Sequence, residues 1–154
     1  MKHEMRRGDR RLSREEAHAL LEKGEVCHLA LVGQGEPYLV TMNYGYRAST
    51  MYFHCASEGK KMEFLADGSR VCFTVVTRHE LVVADVPCSY SMKYESVVGY
   101  GKVRLLEGHE EKCRALGAIM AQYAPGEFEF PEVTVARTAV FAVDIGEMSG
   151  KSNC

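Results

Sequence analysis

The sequence predicts a mainly β domain, an antiparallel barrel with peripheral helices, on three observations. Six or seven β-rich apolar runs succeed one another, most of them joined by short turns. Helices do not alternate regularly with strands, which argues against a doubly wound parallel sheet. The 154 residues, 46% apolar and 26% charged, suit a single globular domain over 1–154 with its own core, opening with a basic arm over 1–12.

The elements follow in order. Ser13 and Glu16 make a capping box ahead of a helix whose apolar face is Ala17, Leu20 and Leu21 and whose stop is Gly24. Residues 26–32 (VCHLALV) and 38–46 (YLVTMNYGY) flank a Gly-rich turn, GQGEP over 33–37, and read as a hairpin. RAST (47–50) turns the chain into a third strand over 51–56 (MYFHCA). The spacing of Met62, Phe64 and Leu65 predicts a helix over 57–68, closed by Gly68. Strands follow over 70–77 and 80–86, then an irregular loop over 87–92. Residues 93–107 (KYESVVGYGKVRLLE) are too long for an ordinary strand, and Gly99 and Gly101 predict a bend or bulge within it. Cys113, Leu116, Ile119, Met120 and Tyr123 recur at three- and four-residue steps and give the clearest helix, over 108–123. A Pro/Gly loop over 124–131 ends it, and TAVFAVDI (138–145) alternates as the last strand.

Composition removes several function classes. Nineteen Lys and Arg against 21 Asp and Glu leave a formal charge of −2, which takes away the bulk electrostatic case for nucleic acid. The basic excess is local: Lys2, Arg6, Arg7, Arg10, Arg11 and Arg14 against Glu4 and Asp9. With no interleaved aromatics, this arm reads as solvated or packed over a partner subunit rather than as a nucleic-acid or membrane contact. No apolar run approaches the roughly 18 to 20 residues of a membrane span, and the N-terminus lacks the apolar stretch of a secretory signal. The six cysteines (Cys27, Cys55, Cys72, Cys88, Cys113, Cys154) form no CxxC pair and read as reduced thiols of a cytoplasmic protein. The six histidines show no HxxxH or HExxH spacing, so no metal site is expected. GYGK (99–102) and the Gly33/Gly35 pair complete no nucleotide fingerprint and read as structural.

The chemically informative stretch is 51–65. Lys60 and Lys61 fall in the first turn of the expected helix, where cations oppose the helix dipole. They make sense if an anion such as a phosphate binds there; two solvated surface lysines are the alternative reading. His54, between Phe53 and Cys55, suits either a hydrogen-bonded rim position or acid–base chemistry near neutral pH.

With these segments in order, the chain resembles the pyridoxamine 5′-phosphate oxidase-related flavoproteins, and within them the nitroimidazole-resistance (Nim) branch. The resemblance rests on MRRGDR (5–10), PYLVTMNYGY (37–46), YFHCASEGKKMEFL (52–65), RVCFTVV (70–76), ESVVGYGKVRLLE (95–107), EEKCRALGAIMAQY (110–123) and SGK (149–151). It implies an FMN-binding split β-barrel, antiparallel and Greek-key-like, working as a homodimer with flavin sites at the subunit interface. It implies that Val40, Thr41, Met42 and Asn43 lie along the flavin through their backbone. Phe53, His54 and Ala56 would border the ring edge, and Lys60 and Lys61 would hold the phosphate. Ser96 would reach the flavin from the partner chain, with Glu95 and Val97 beside it. The functional His of the Nim-type HxA segment corresponds here to His54.

Two departures qualify the resemblance. The C-terminal substrate-phosphate segment of pyridoxamine phosphate oxidases has no counterpart before Cys154, so oxidation of pyridoxamine phosphate is not expected. Thr41 stands where Nim-like relatives usually have Pro. The resemblance implies a reductase that passes electrons from a nicotinamide nucleotide through FMN to a small electron acceptor such as a nitroaromatic, with His54 as proton donor or orienter. A non-catalytic flavin carrier or redox sensor is the competing class. Binding of haem or deazaflavin is a third, with His54 as a possible axial ligand to haem.

Overall fold

The β-rich runs form one sheet in which every neighbouring pair is antiparallel, in the order β2-β1-β5-β6-β7-β4-β3. The strands are β1 (Val26–Gly33), β2 (Glu36–Asn43), β3 (Gly45–Arg47), β4 (Thr50–Ala56), β5 (Arg70–Val82), β6 (Ser91–Leu106) and β7 (Thr138–Ser152). Four helices accompany them: α1 (Arg14–Lys23), α2 (Lys60–Phe64), α3 (His109–Tyr123) and α4 (Glu132–Arg137). This computed structural model describes residues 4–154; Lys2 of the basic arm lies outside the described residues.

The two ends of the sheet, β2 and β3, are separated in the chain by Tyr44 alone. A single length of chain therefore supplies both edges, and the sheet must curl until they meet at Tyr44. The result is the split barrel that the family resemblance implied. Its interior takes alternate residues of each strand: Cys27, Leu29 and Leu31, then Met51 and Phe53, then Val71, Phe73 and Val75, with Val97, Val103, Phe141 and Val143. Phe53 and Phe141 stack at 5.1 Å between centroids.

Helix α1 starts as its capping box requires, with both reciprocal Ser13–Glu16 hydrogen bonds formed and Gly24 at its end. Ala17, Leu20 and Leu21 close one end of the barrel. Helix α3 lies directly on β3, where a Cβ on Gly45 would come within 2.4 Å of the Ile119 backbone nitrogen. Only glycine allows that approach. Residues of the basic arm dock on their own chain: Arg11 bridges to Lys151, and the Leu12 N–H bonds to the Gly150 carbonyl.

The structure corrects several expectations. The helix expected over 57–68 is five residues, Lys60–Phe64, because Gly59 at φ 109° leaves helical geometry and Leu65 turns extended. The strands expected over 70–77 and 80–86 are one strand, β5, which carries a bulge between Val76 and Arg78. The long strand β6 does not itself bulge near its glycines; the extra residue at that level is Gly146 in β7, between the pairs Tyr100–Glu147 and Gly101–Ile145. Gly99 and Gly101 serve close packing instead. A Cβ at Gly99 would lie 2.4 Å from Phe73 Cζ, and one at Gly101 would lie 2.5 Å from Val143 Cγ1. Helix α4 gave no sequence signal, since two of its six residues are valine and a third is threonine. Lys112 of α3 holds its end, donating to the carbonyls of Val135 and Thr138.

Candidate functional site

The seam between the two sheet edges is where backbone groups are left over. Gln34 and Gly35, at φ 53° and 80°, make the two-residue turn between β1 and β2, flanked by the pair Gly33–Glu36. In such hairpins the flanking residues exchange both hydrogen bonds, and bonded pairs recur at every second position. Glu36, Tyr38, Val40 and Met42 are therefore the residues of β2 that bond to β1. The N–H and C=O groups of Thr41 and Asn43 point to the open edge.

The same reasoning holds at the other end. Ala48 and Ser49, at φ 49° and 62°, turn β3 into β4 between Arg47 and Thr50. Thr50 and Tyr52 bond back to β3, whereas Met51, Phe53 and Cys55 bond to β7. Because β3 ends opposite Tyr52, the backbone groups of His54 and Ala56 project past it into the seam. Continuing the Gly45–Tyr52 register sets Tyr44 beside Phe53, Asn43 beside His54 and Thr41 beside Ala56. The first step is realised, with the Tyr44 and Phe53 rings 6.4 Å apart. Beyond it no ladder forms, and the two edges stand apart.

Helix α3 holds the strand at this branch point. The Tyr123 hydroxyl accepts from the Tyr44 N–H at 2.9 Å and lies 2.6 Å from the Glu25 carbonyl. Gln122 accepts from the Tyr46 N–H and donates to the carbonyls of Leu21 and Gly24. Tyr44 is wholly buried, its hydroxyl donates to the Leu21 carbonyl, and burial pushes its phenol pKa up. Sequence periodicity marked Tyr123 only as part of an apolar face and gave no sign of this polar role.

The predicted site residues divide accordingly. Thr41, Asn43, His54 and Ala56 have seam-facing backbone and exposed, outward side chains. The Val40, Met42 and Phe53 side chains face the core, and their backbone is taken up by the β1 and β7 ladders. They support the seam without lining it. The His54 imidazole makes no hydrogen bond among the described residues and stands on the outer rim. Cys55 points inward against Met62 of α2, and burial raises its thiol pKa, with nearby Lys61 opposing the shift.

Helix α2 closes one end of the seam. Phe64 packs on Tyr38 at 5.0 Å, and the Lys60 ammonium lies over the Tyr38 ring at 5.2 Å. Lys60 thus stands beside Tyr38 at the end of β2, and Lys61 follows it in α2, close enough to Cys55 to act on its thiol. A five-residue helix has little macrodipole, so any anion binding rests on the two ammonium groups and not on the helix end.

Ser96 lies elsewhere on the chain. Pairing aligns rows of side chains across the outer face: Leu39, Ala30, Cys72 and Tyr100; then Thr41, His28, Thr74 and Val98. Ser96 pairs with Val76, one step beyond, while Asn43 pairs with Val26. Three strand spacings, about 14 Å, separate Ser96 from the Asn43 edge of its own chain. The structure therefore does not bring Ser96 or its buried neighbour Val97 to the seam of the same subunit. These mixed outer rows carry exposed apolar side chains, Leu39, Val76, Val98 and Val26, with Leu39 exposed by 67%.

One outer-face contact escaped sequence reading. His28 Nδ1 lies 2.9 Å from Thr41 Oγ1. Two clefts open away from the seam, one of about 720 Å³ between α1 and the end of β7 and one of about 440 Å³ beside Arg70 and Tyr100. Neither includes a seam residue. Among the described residues, no group of three His, Cys, Asp or Glu side chains could hold a metal ion, and no helix is long and apolar enough to cross a membrane.

Comparison with known proteins places this architecture. A solved structure of a candidate 5-nitroimidazole antibiotic resistance protein from Bacteroides thetaiotaomicron is 34% identical, with a TM-score of 0.80 over 92% of this chain and 85% of that one. A FAD-binding protein of Mesorhizobium loti is 25% identical, with a TM-score of 0.67 over 94% and 98% of the two chains. A flavocytochrome of Azotobacter vinelandii shares the fold at 22% identity, with a TM-score of 0.85 over 99% of this chain and 73% of that one. The family model for pyridoxamine 5′-phosphate oxidase matches residues 13–152, from the α1 cap to the last residue of β7, and the chain belongs to that family.

Proposed function

We propose that the chain binds FMN in the seam as a homodimer and passes electrons from a nicotinamide nucleotide to a small electron-poor acceptor such as a nitroaromatic. The observation that carries this reading is the set of unpaired backbone groups of Thr41 and Asn43 facing those of His54 and Ala56, with Lys60 and Lys61 at one end. A flavin ring presents alternating donors and acceptors along its pyrimidine edge, and an open strand edge offers the complementary pattern. The phosphate of FMN carries close to two negative charges, which the paired ammonium groups suit.

The flavin supplies the redox chemistry when bound. The chain's own residues bind and orient. Thr41, Asn43, His54 and Ala56 fix the ring edge through main-chain hydrogen bonds, while Lys60 and Lys61 neutralise the phosphate. His54, exposed on the rim, is placed to hold or deliver a proton to an acceptor lying over the ring. Two features support dimerisation: the exposed apolar side chains of the outer face, and Ser96, which the resemblance puts at a flavin and which can serve a seam only across a subunit boundary. The six free thiols suit a reducing compartment such as the cytoplasm. The likeness to a candidate nitroimidazole-resistance protein supports the acceptor class.

The test is a spectrum followed by turnover. Purified protein should show, or acquire with added FMN, the two-band yellow spectrum of a bound flavin and run as a dimer. NADH or NADPH should bleach it, and a nitroimidazole should restore it. A Soret band would replace the reading with haem, and a protein that takes up no FMN would overturn it. Flavin that binds but is not reduced by either nucleotide would leave a carrier, not a reductase.

A further inference from the structure

We propose that the outer ends of β5 and β6 form an arm that clasps a second copy of this chain through its apolar face. The inference rests on the homodimer proposed above and assigns the segment that closes it. Beyond Val75, no strand among the described residues pairs with β5 on its β1 side, and the last β7 partner of β6 is Ser152, opposite Glu95. From His79–Tyr94 to Val82–Ser91 the two strands pair only with each other. Asn153 holds the β6 side of this ribbon, donating to the carbonyls of Tyr94 and Met92.

The bulge between Val76 and Arg78 shifts the alternation of β5 by one residue. Within the barrel Val71, Phe73 and Val75 point inward. Past the bulge that side carries charge instead: Arg78 and Glu80, with their register partners Glu95 and Lys93. Glu80 takes ion pairs from Arg78 at 2.6 Å and Lys93 at 3.8 Å. The outer side carries His79–Tyr94 and then Leu81–Met92. Tyr94 lies two residues from Ser96 and shares its face, and the ammonium of Lys151, the register partner of Ser96, stands over the Tyr94 ring at 5.7 Å. Leu81 is 57% and Val83 68% exposed, and Val86, Tyr90 and Met92 at the tip are exposed with them. A two-stranded ribbon is marginally stable in water unless its apolar face packs on something.

A second copy is the occupant that the surface fits. The apolar side of the arm continues through the His79–Tyr94 pair into the outer sheet face at Val76 and Val98. The fractional exposures of the five apolar residues of the arm and the four of the outer sheet face amount to roughly 700–900 Å² left in water, against about 300–600 Å² for the largest patch of an ordinary monomer and about 800 Å² for one side of a standard interface. A two-fold contact sets this same side of each copy against the other and covers both at once. Arg78 and Lys93 are matched by Glu80 and Glu95, which leaves the arm no cationic rim for an anionic lipid surface.

Sedimentation equilibrium of the purified protein gives the dimer dissociation constant for the wild type, for Leu81→Asp with Met92→Asp, and for Lys93→Gln on the ion-paired side. The apolar-side pair should weaken the dimer by at least about a hundredfold, because each side chain enters a two-fold contact twice, and Lys93→Gln should change it by less than about threefold. Hydrogen exchange of the wild type needs no variant: the amides of residues 79–83 and 90–93 should exchange more slowly above the dissociation constant than below it. Leu81→Asp with Met92→Asp dimerising like the wild type, or arm exchange that ignores concentration, overturns the inference and leaves the dimer standing. A wild type that is monomeric at every concentration overturns arm and dimer together, and FMN uptake by that monomer would show the flavin reading standing by itself. A monomer that sediments with phosphatidylcholine–phosphatidylserine vesicles overturns it in favour of a lipid surface.

Discussion

Reversing both charges at the mouth of the seam, Lys60→Glu with Lys61→Glu, should separate phosphate recognition from ring recognition. Lys60 is exposed and Lys61 half-buried, so the high-dielectric limit applies, about 1 kcal/mol for each ammonium against one phosphate charge near 4 Å. Reversal doubles that for each lysine, to about 4 kcal/mol in all, or roughly a thousandfold in the dissociation constant for FMN. The fold should hardly notice. The Lys60 ammonium loses its place over the Tyr38 and Phe64 rings, at 5.2 and 5.9 Å, worth about 0.5 kcal/mol at an exposed site. Fluorescence titration with FMN and with riboflavin gives the comparison, alongside a urea melt. FMN affinity should fall by two to three orders of magnitude, riboflavin affinity should stay put, and the urea midpoint should move little. Added salt should weaken FMN binding to the wild type and strengthen the variant's. An FMN affinity within about threefold of the wild type, taken against the roughly thousandfold loss expected for reversing both charges, would refute the assignment of the lysines. Equal loss of FMN and riboflavin would mean that α2 shapes the ring site rather than the phosphate site.

Three further outcomes test the frame around the seam. Gly99→Ala should destabilise the protein by about 1–3 kcal/mol in urea melts, because its Cβ would lie 2.4 Å from Phe73 Cζ and 2.9 Å from the Glu147 carbonyl; trimming Phe73 to Leu in the same chain should recover part of that loss. Tyr123→Phe should lower stability by about 1–3 kcal/mol by leaving the Tyr44 N–H buried without its acceptor, and FMN affinity should fall with it as the branch point loosens. Asp144 is held below the ordinary carboxylate range mainly by its hydrogen bonds from Arg104, with burial opposing and Thr50 assisting. Its contribution is therefore present above the unfolded-state pKa and is lost as pH falls through the lower folded value. Thermal melts of Asp144→Asn should show a deficit below about 1 kcal/mol at pH 7, small because both partners are half exposed, and the deficit should vanish in acid.

The parts of this molecule that were legible in the sequence are those governed by local chemistry. The Ser13–Glu16 cap, the Gln34–Gly35 turn and the helix of α3 each depend on residues within a few positions of one another, and each formed, although α3 buries Ala115 and Ala118 beside Ile119 rather than the rest of the face read from its period. The resemblance carried the split barrel and placed Thr41, Asn43, His54, Ala56 and the two lysines around one opening. It could not separate Thr41 and Asn43 from Val40 and Met42, since that distinction depends on which residues flank the turn in hydrogen-bonded register. The glycines of β6 were misread for a related reason. A glycine in a strand signals either a bulge or a close neighbour, and the neighbours, Phe73 and Val143, come from other strands. His28 gave no signal because its partner is 13 residues away across a hairpin. The departure at Thr41 was visible as a residue, while its contact with His28 was not.

An open strand edge is ordinarily a hazard, since unpaired N–H and C=O groups invite another strand. Here two such edges face each other across one groove and do not close, although the chain runs straight from β2 into β3 and could extend the β3–β4 ladder by four more residues. Helix α3 provides a physical reason. With Gly45 pressed against its backbone, and with Tyr123 and Gln122 occupying the outward groups of Tyr44 and Tyr46, the strand is anchored away from β4 just where further pairing would begin. The α2 helix then fills the far end with Phe64 and Lys60 against Tyr38. The seam is thus propped from both ends, and the groups left between the props are those of Thr41, Asn43, His54 and Ala56. Such groups need partners in any state that excludes water. A flat heterocycle covered by a second subunit would meet that need at once, so the proposed cofactor binding and dimerisation would be two parts of one solution to the same unpaired edge.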